Sequence, residues 1–373
     1  NMERGLFIAA HIADLHFSAF EAKKQYQILR EQFISVIDQL PRLDLISIDG
    51  DYFDHKLMGS SEGIYYGTQL MDDIIHVAQR HHSTILMIHG TFSHDADQLK
   101  IFYHLQNNPE VDIRIHTGLA MEQVGNARIL CIPELYGLDE KEYQHYLHQS
   151  GYYDMALMHG TFEGSVYGNN VGQGRLFNIH DFSNCKGFII AGHVHRPGCF
   201  ESYFYYCGCP YRYKFGEEES KGFLITIQDL DTNRHYCHFQ EIISDTYTTL
   251  QLDHVQDKNP QVLIERINAT KIEQHIDFLK VKFNFPMDGA DKTIIQNYYR
   301  TNPCIFVEFM SNMEERIYHE KEASQSTIVG DQYSFILDNK ISDIEKFVTF
   351  VNMKEGKNII SVEKLKDILS TDL

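Results

Sequence analysis

Five apolar runs in the first two hundred residues stop abruptly at His, Asp or Gly: LFIAAHIAD (6–14), LDLISIDG (43–50), STILMIHG (83–90), YDMALMHG (153–160) and KGFIIAGH (186–193). Each is short, apolar and bounded by polar or turn residues, which predicts a β-strand. Helical spacing takes over between them, with Tyr26, Leu29, Phe33, Ile37 and Leu40 on one stripe and a second helix over 64–79. This alternation predicts an α/β fold. Each run then delivers its polar residues to the C-terminal end of a strand, where open α/β sheets place their ligands.

The texture changes near Ser244. FLKVKFNF (278–285) and CIFVEFM (304–310) read as strands of a smaller α+β unit, with helices near 262–267 and 292–299. The polar stretch 311–331 has little periodicity and suits a linker or an exposed helix. Beyond it, ISDIEKFVTFVNM (341–353) and SVEKLKDIL (361–369) predict short amphipathic helices. In the first, Ile341, Ile344, Phe347, Val348 and Val351 form an apolar stripe.

Composition narrows the setting. No apolar run approaches the roughly 20 residues of a membrane span, and the N-terminal segment lacks the basic and apolar regions of a secretory signal. A soluble protein with no membrane partner is expected. Seven cysteines, odd in number and without CxxC spacing, argue against a disulfide framework or a zinc ribbon and point to the reducing cytoplasm. A net charge of -19 repels a polyanion over most of the surface, so nucleic acid would need a local basic patch, a bound metal or a partner.

The 21 histidines matter through their positions. Asp14 and His16 lie two apart after the first run, so in an extended segment both side chains point the same way. GDYFD supplies Asp51 and Asp54, the fourth run ends at His159, and GHVH supplies His193 and His195, again two apart. Asp14, His16, Asp51, His159, His193 and His195 make the mixed nitrogen and oxygen donor set expected for a pair of Mn²⁺, Fe²⁺ or Zn²⁺ ions. Any one piece alone reads as a polar turn or a hydrogen-bonded core histidine. Their order at successive strand ends is what points to metal.

This order resembles the calcineurin-like metallophosphoesterase superfamily, whose pattern is D-x-H, G-D-x-x-D, G-N-H-[DE], a lone His and G-H-x-H. Four of the five are intact here. The resemblance implies a metallophosphoesterase β-sandwich core flanked by helices, and a two-metal site for in-line chemistry at phosphorus. It implies that Asp14, His16, Asp51 and His195 hold one ion, that Asp51 bridges to a second held by His159 and His193, and that both are Mn²⁺. The departure is Gly90-Thr91-Phe92-Ser93-His94-Asp95, two residues longer than G-N-H-D and without the Asn that completes the second shell. His94 and Asp95 match the family's catalytic pair, His94 acting on the leaving oxygen and Asp95 orienting its ring. Ser93, Thr91 or water is left to replace the amide, and a weaker second ion is expected. Without the family, the same segment reads as a strand-to-helix turn with Asp95 near an N-cap.

A narrower resemblance lies in YCGCPYRYKFGEEESKGFLI (206–225), which is similar to the Y-x-G-S-P-x-R-x-x-F-x-E…K-G segment of SbcD-type DNA repair nucleases, with Cys209 in the usual Ser place. FIAAHIADLHFS also resembles that family's opening segment, where His11 supports the site and does not ligate. The motifs cover about 6–226. They imply a nuclease domain over 1–243, a capping, DNA-binding α+β domain over 244–311, a linker over 312–331 and C-terminal helices over 332–373. Those helices would dock on an SbcC-like ABC-type ATPase, and a homodimer is allowed. Arg212 and Lys214 could meet a phosphate backbone beside the metals. The other reading of that segment is a structural turn with Arg212 paired to an acid such as Glu217, and the run Glu217 to Glu219 as a solvated face.

Three function classes stay open on the sequence alone. One is a metal-dependent DNA nuclease working with the ATPase. A second is a phosphodiesterase or phosphatase on small substrates, which the acidic charge favours and the second domain disfavours. The third is a non-catalytic scaffold, which the lost Asn makes conceivable and the intact ligand set opposes.

Overall fold

The computed structural model describes residues 4–95, 97–134, 140–162, 176–319, 342–355 and 361–364. By contacts the chain divides into two compact units, one holding residues up to 248 together with 276–278, the other 249–275 and the described residues from 279 on.

The first unit alternates as the apolar runs require. Strand β1 (Leu6–Ile12) leads to helices α1 (Ala22–Leu29) and α2 (Ser35–Asp38), joined through a π-helical turn, Arg30–Ile34. Then come β2 (Leu45–Asp49), α3 (Glu62–His81), β3 (Thr84–Ile88), β4 (Ile113–His116), β5 (Ala120–Val124), β6 (Ala127–Ile132), α4 (Glu140–Gln144) and β7 (Tyr153–His159). The remaining strands of this unit are β8 (Thr161–Phe162), β9 (Leu176–Phe177), β10 (Cys185–Gly192), β11 (Gly198–Phe200), β12 (Phe204–Tyr206), β13 (Lys221–Asp229) and β14 (His235–Ile242). All but β8 and β9, which pair with each other, form two six-stranded mixed sheets, ordered β14-β13-β1-β2-β3-β4 and β11-β12-β10-β7-β6-β5. Strands β1 to β4 are parallel, as are β6, β7, β10 and β12.

Period-two sorting of side chains explains why the runs are apolar throughout. On β1, β2 and β3, Phe7, Ala9, Leu45, Leu86 and Ile88 pack against Met155, Leu157, Phe188 and Ile190 of the other sheet. Their neighbours Ala10, Ile12, Ile46, Ile48, Ile85 and Met87 pack instead with Leu29, Phe33, Leu70 and Ile74 of the helical layer. The second sheet does the same with Ala156, Met158, Ile189 and Ala191 against Tyr143, Leu147 and Phe182. Both faces of the central strands are therefore buried, which leaves no polar alternation in them. Helix α3 is fixed at both ends, by the Ser61 hydroxyl accepting from Ile64 N and by His82 in a left-handed cap.

The second unit has a three-stranded sheet ordered β15 (Tyr247–Leu252), β16 (Phe278–Phe283) and β17 (Ile305–Phe309). Its helices are α5 (Pro260–Glu273), started by Asn259 and Pro260, and α6 (Gly289–Tyr299), capped by Asp288. The stretch read as a linker opens as helix α7 over residues 312–319. Helix α8 (Asp343–Glu355) splits its apolar stripe: Val348 is buried while Phe347 is 52% exposed. Ile341 and most of 361–373 lie outside the described residues. Among the described residues no helix is long and apolar enough to cross a membrane.

Candidate metal centre

Because β1, β2 and β3 are parallel, and β7 and β10 likewise, their polar termini collect at C-terminal edges. The loops after β1 and β2 are zipped together by Asp14 N to Gly50 O, His16 N to Asp51 O and Phe17 N to Tyr52 O, each 3.0 Å. This pairing holds Asp14, His16 and Asp51 in left-handed backbone, at φ of 53°, 46° and 54°, with His193 at 88°. Left-handed conformation at a non-glycine residue costs about 1–3 kcal/mol and persists only where the surroundings over-determine it. Gly50 has φ of 90°, and a Cβ there would lie 2.2 Å from His159 Nδ1. A Cβ on Gly90 would lie 2.2 Å from Asp51 N, so the strand ends approach too closely for side chains.

Three groups of donors result, the atoms within each lying within 4.8 Å of one another: Asp14 with His16 and His195, Asp51 with His159 and His193, and His16 with Asp54 and His94. Asp51 Oδ2 stands between the first two, 3.7 Å from His16 Nε2 and 3.3 Å from His159 Nε2. Burial works against its charge, yet the His159 ring and then the His16 ring hold the Asp51 carboxyl far below the carboxylate range. Asp14 also accepts from His193 N, at 3.0 and 3.1 Å. Beside the group, the ring of His16 holds the Asp54 carboxyl down to about 2. All six residues read as ligands are thus brought together, and His94 and Asp54 lie next to them.

The donor set suits cations. His159 donates from Nδ1 to Asp49 O at 2.8 Å, and His195 Nδ1 faces Glu217 Oε1 at 3.1 Å, so both rings turn Nε2 inward. His195 Nε2 then stands 3.0 Å from His16 Nε2. A neutral His16 has one ring proton for two positions. Spent toward Asp54, it leaves two nitrogen lone pairs opposed; spent toward His195, it leaves His16 Nδ1 bare against a carboxylate oxygen 3.4 Å away. That Nδ1 is buried and has no hydrogen-bond partner. A second proton on His16 or a positive ion between the rings removes the conflict.

Of the two hydroxyls offered for the missing amide, that of Thr91 faces the donors. Its N–H donates to Asp51 Oδ1 at 2.6 Å, and its hydroxyl lies 3.2 Å from Asp51 Oδ2 and 3.4 Å from His159 Nε2. Ser93 is exposed.

Asp95 does something other than orient the His94 ring. Fully buried, it accepts from Gly90 N (2.7 Å) and Asp51 N (2.9 Å) on Oδ2, and from Tyr52 N (2.9 Å) and Phe53 N (3.4 Å) on Oδ1. It therefore anchors the backbone that carries Asp51. Burial and then the Asp51 charge push its carboxyl up to about 7, against the N–H donors that favour the ionised form. The ring of His94 bonds through Nδ1 to the main-chain oxygen of Asp54.

A cavity of about 430 Å³ opens over the group, lined by His16, Asp51, Asp54, Thr91, His94, His193, His195, Tyr213 and Lys214. Lys214 is on its wall, while Arg212 is not. Arg212 faces Glu218 O at 3.4 Å and its N–H donates to Ser244. Glu217 belongs to the site and not to a solvated face, being only 4% exposed. Glu219 is likewise engaged, 2.7 Å from the buried Lys221 ammonium. The motif F-x-E already held the signal for Glu217, but its place in an acidic run disguised it. Asp49 and Gln25 gave no such signal. Asp49 is buried behind His159, and Gln25 donates to His16 O at 2.9 Å and to Tyr211 OH at 2.8 Å, fixing the loop after β1.

No family model and no curated protein matches this chain. A solved crystal structure matches with a TM-score of 0.35 and 10% identity, over 63% of this chain and 99% of that one. A likeness so distant carries no argument about fold or function.

Proposed function

We propose that this chain is a metal-dependent phosphodiesterase that cuts DNA, built as a metallophosphoesterase of the SbcD type, with Mn²⁺ as its ion and an SbcC-like ABC-type ATPase as its partner. The observation that carries it is the convergence of Asp14, His16, Asp51, His159, His193 and His195 from separate strand ends into two adjacent donor groups, with Asp51 of one group 3.7 Å from His16 of the other. Asp14, His16, Asp51 and His195 would hold one ion. Asp51, His159, His193 and the Thr91 hydroxyl would hold the other. When bound, such a pair supplies Lewis acidity at phosphorus and a nucleophile at neutral pH.

The chain's own residues do the rest. His94, its Nδ1 committed to Asp54 O, keeps Nε2 available for a proton to the leaving oxygen. Lys214, 54% exposed on the cavity wall, offers a cation to a flanking phosphate. One lysine cannot offset a net charge of -19, so the remaining DNA-binding surface is assigned to the ATPase or to a second copy. The exposed Phe347 on α8 belongs to the helices proposed to reach the ATPase.

The test is cleavage of linear duplex and single-stranded DNA in Mn²⁺, beside a chromogenic phosphodiester. Cleavage of DNA that disappears in Asp51→Asn is expected. Turnover of the chromogenic ester alone would move the assignment to small substrates, and inertness toward all three would refute it.

A further inference from the structure

The segment after Pro210 folds back on the site. Gly216, at φ of 94°, turns the chain so that Glu217 returns beneath Tyr213, whose N–H donates to Glu217 Oε2 at 3.2 Å. The other oxygen, Oε1, lies 3.1 Å from His195 Nδ1, and the Tyr213 hydroxyl lies 3.3 Å from the same nitrogen. Behind them Lys221, wholly buried on β13, donates to His195 O at 2.8 Å and to Glu219 Oε1 at 2.7 Å, and stands 3.9 Å from Glu217 Oε1. A buried carboxylate and a buried ammonium thus grip the ring and the main chain of one histidine. Neither charge reaches the cavity lining. Burying an ion is costly unless it is paired, so the pair needs its partners in place.

We infer that Glu217 is a positioning residue: it fixes the proton of His195 on Nδ1 and aims Nε2 into the donor group, with Lys221 holding the backbone of the same residue and balancing the charge. The ring then presents Nε2 without having to reorient when an ion arrives. Carboxylates in this position raise the basicity of the ring and typically change metal affinity by about 10- to 100-fold. For affinity this rests on the two-ion reading above; the ring's tautomer does not depend on it.

The experiment therefore has two readouts, both on the full chain. Nitrogen-15 spectra of the metal-free protein should show His195 as the Nδ1–H tautomer, retained in Glu217→Gln, whose amide oxygen still accepts, and lost or mixed in Glu217→Ala. Calorimetric titration with Mn²⁺ should then show one ion weakened about 10- to 100-fold in Glu217→Ala and less in Glu217→Gln, with circular dichroism confirming that each variant is folded. If the alanine variant does not fold, the wild-type tautomer decides, an Nδ1–H ring supporting the inference and an Nε2–H ring overturning it. A His195 tautomer that is Nε2–H in the wild type, or unchanged in Glu217→Ala, overturns the inference. Wild-type protein that shows the Nδ1–H tautomer yet binds no Mn²⁺ overturns the metal reading and leaves the positioning role standing.

Discussion

Asp95→Asn separates the anchoring role of this carboxylate from a role in orienting His94. Its two oxygens each serve a pair of backbone donors, Gly90 N and Asp51 N on one side, Tyr52 N and Phe53 N on the other. An amide can satisfy one pair only. Whichever way it is flipped, its NH₂ group faces two buried N–H groups. Hydrogen bonds to a charged acceptor contribute about 1.5–3 kcal/mol each, so losing two should cost about 3–6 kcal/mol. That is a large share of the roughly 5–15 kcal/mol by which a folded domain is stable. Urea unfolding at pH 8, above the value of about 7 to which the carboxyl is pushed, measures the loss with the wild-type group ionised. Mn²⁺ affinity should fall in the same variant, because the peptide that positions Asp51 is released. A loss below about 1 kcal/mol with unchanged Mn²⁺ affinity would refute the anchoring argument.

His94→Ala should leave Mn²⁺ binding near wild type and slow cleavage by about 10²–10⁴-fold; an emptied site in that variant would make the ring a ligand. Thr91→Val keeps the backbone donor to Asp51 and removes the hydroxyl, so calorimetry should show the weaker ion weakened further, and no change would leave that place to water. His11 is fully buried between Ser47 and Thr226, and burial pulls its imidazole down to about 3. Below about pH 6.5 the unfolded chain takes up a proton that the folded chain refuses, so this residue's contribution is whole above that pH and is lost as pH falls, by about 2 kcal/mol between pH 7 and pH 5. Unfolding series at the two pH values should show that much less acid sensitivity in His11→Gln, and an identical pH dependence would contradict it.

The strands were legible because burial on both faces leaves uninterrupted apolar runs, and the donors were legible because each run ends on one. Spacing put Asp14 with His16, and His193 with His195, but the actual convergence uses left-handed backbone at Asp14, His16, Asp51 and His193, which no periodicity announces. Asp95 was assigned to its sequence neighbour, His94. Its partners are backbone groups, which carry no side-chain identity to read, and three of the four, Asp51, Tyr52 and Phe53, lie more than 40 residues away. Glu217 and Glu219 looked solvated because charge runs usually are; the buried Lys221 that accounts for them reads in sequence as an ordinary strand-edge lysine. Thr91 and Ser93 look equivalent by residue type, and only the fold sets the Thr91 N–H and hydroxyl against Asp51.

The claim on which the functional reading stands is that Asp51 is shared by two cations. Crystals grown in Mn²⁺, with diffraction recorded at the manganese absorption edge, test it directly. Two anomalous peaks are predicted per chain, one enclosed by Asp14, His16, Asp51 and His195, the other by Asp51, His159, His193 and Thr91, and both should vanish in Asp51→Asn. A single peak that leaves Asp51 untouched, or no peak at a concentration of Mn²⁺ that supports cleavage, would contradict it.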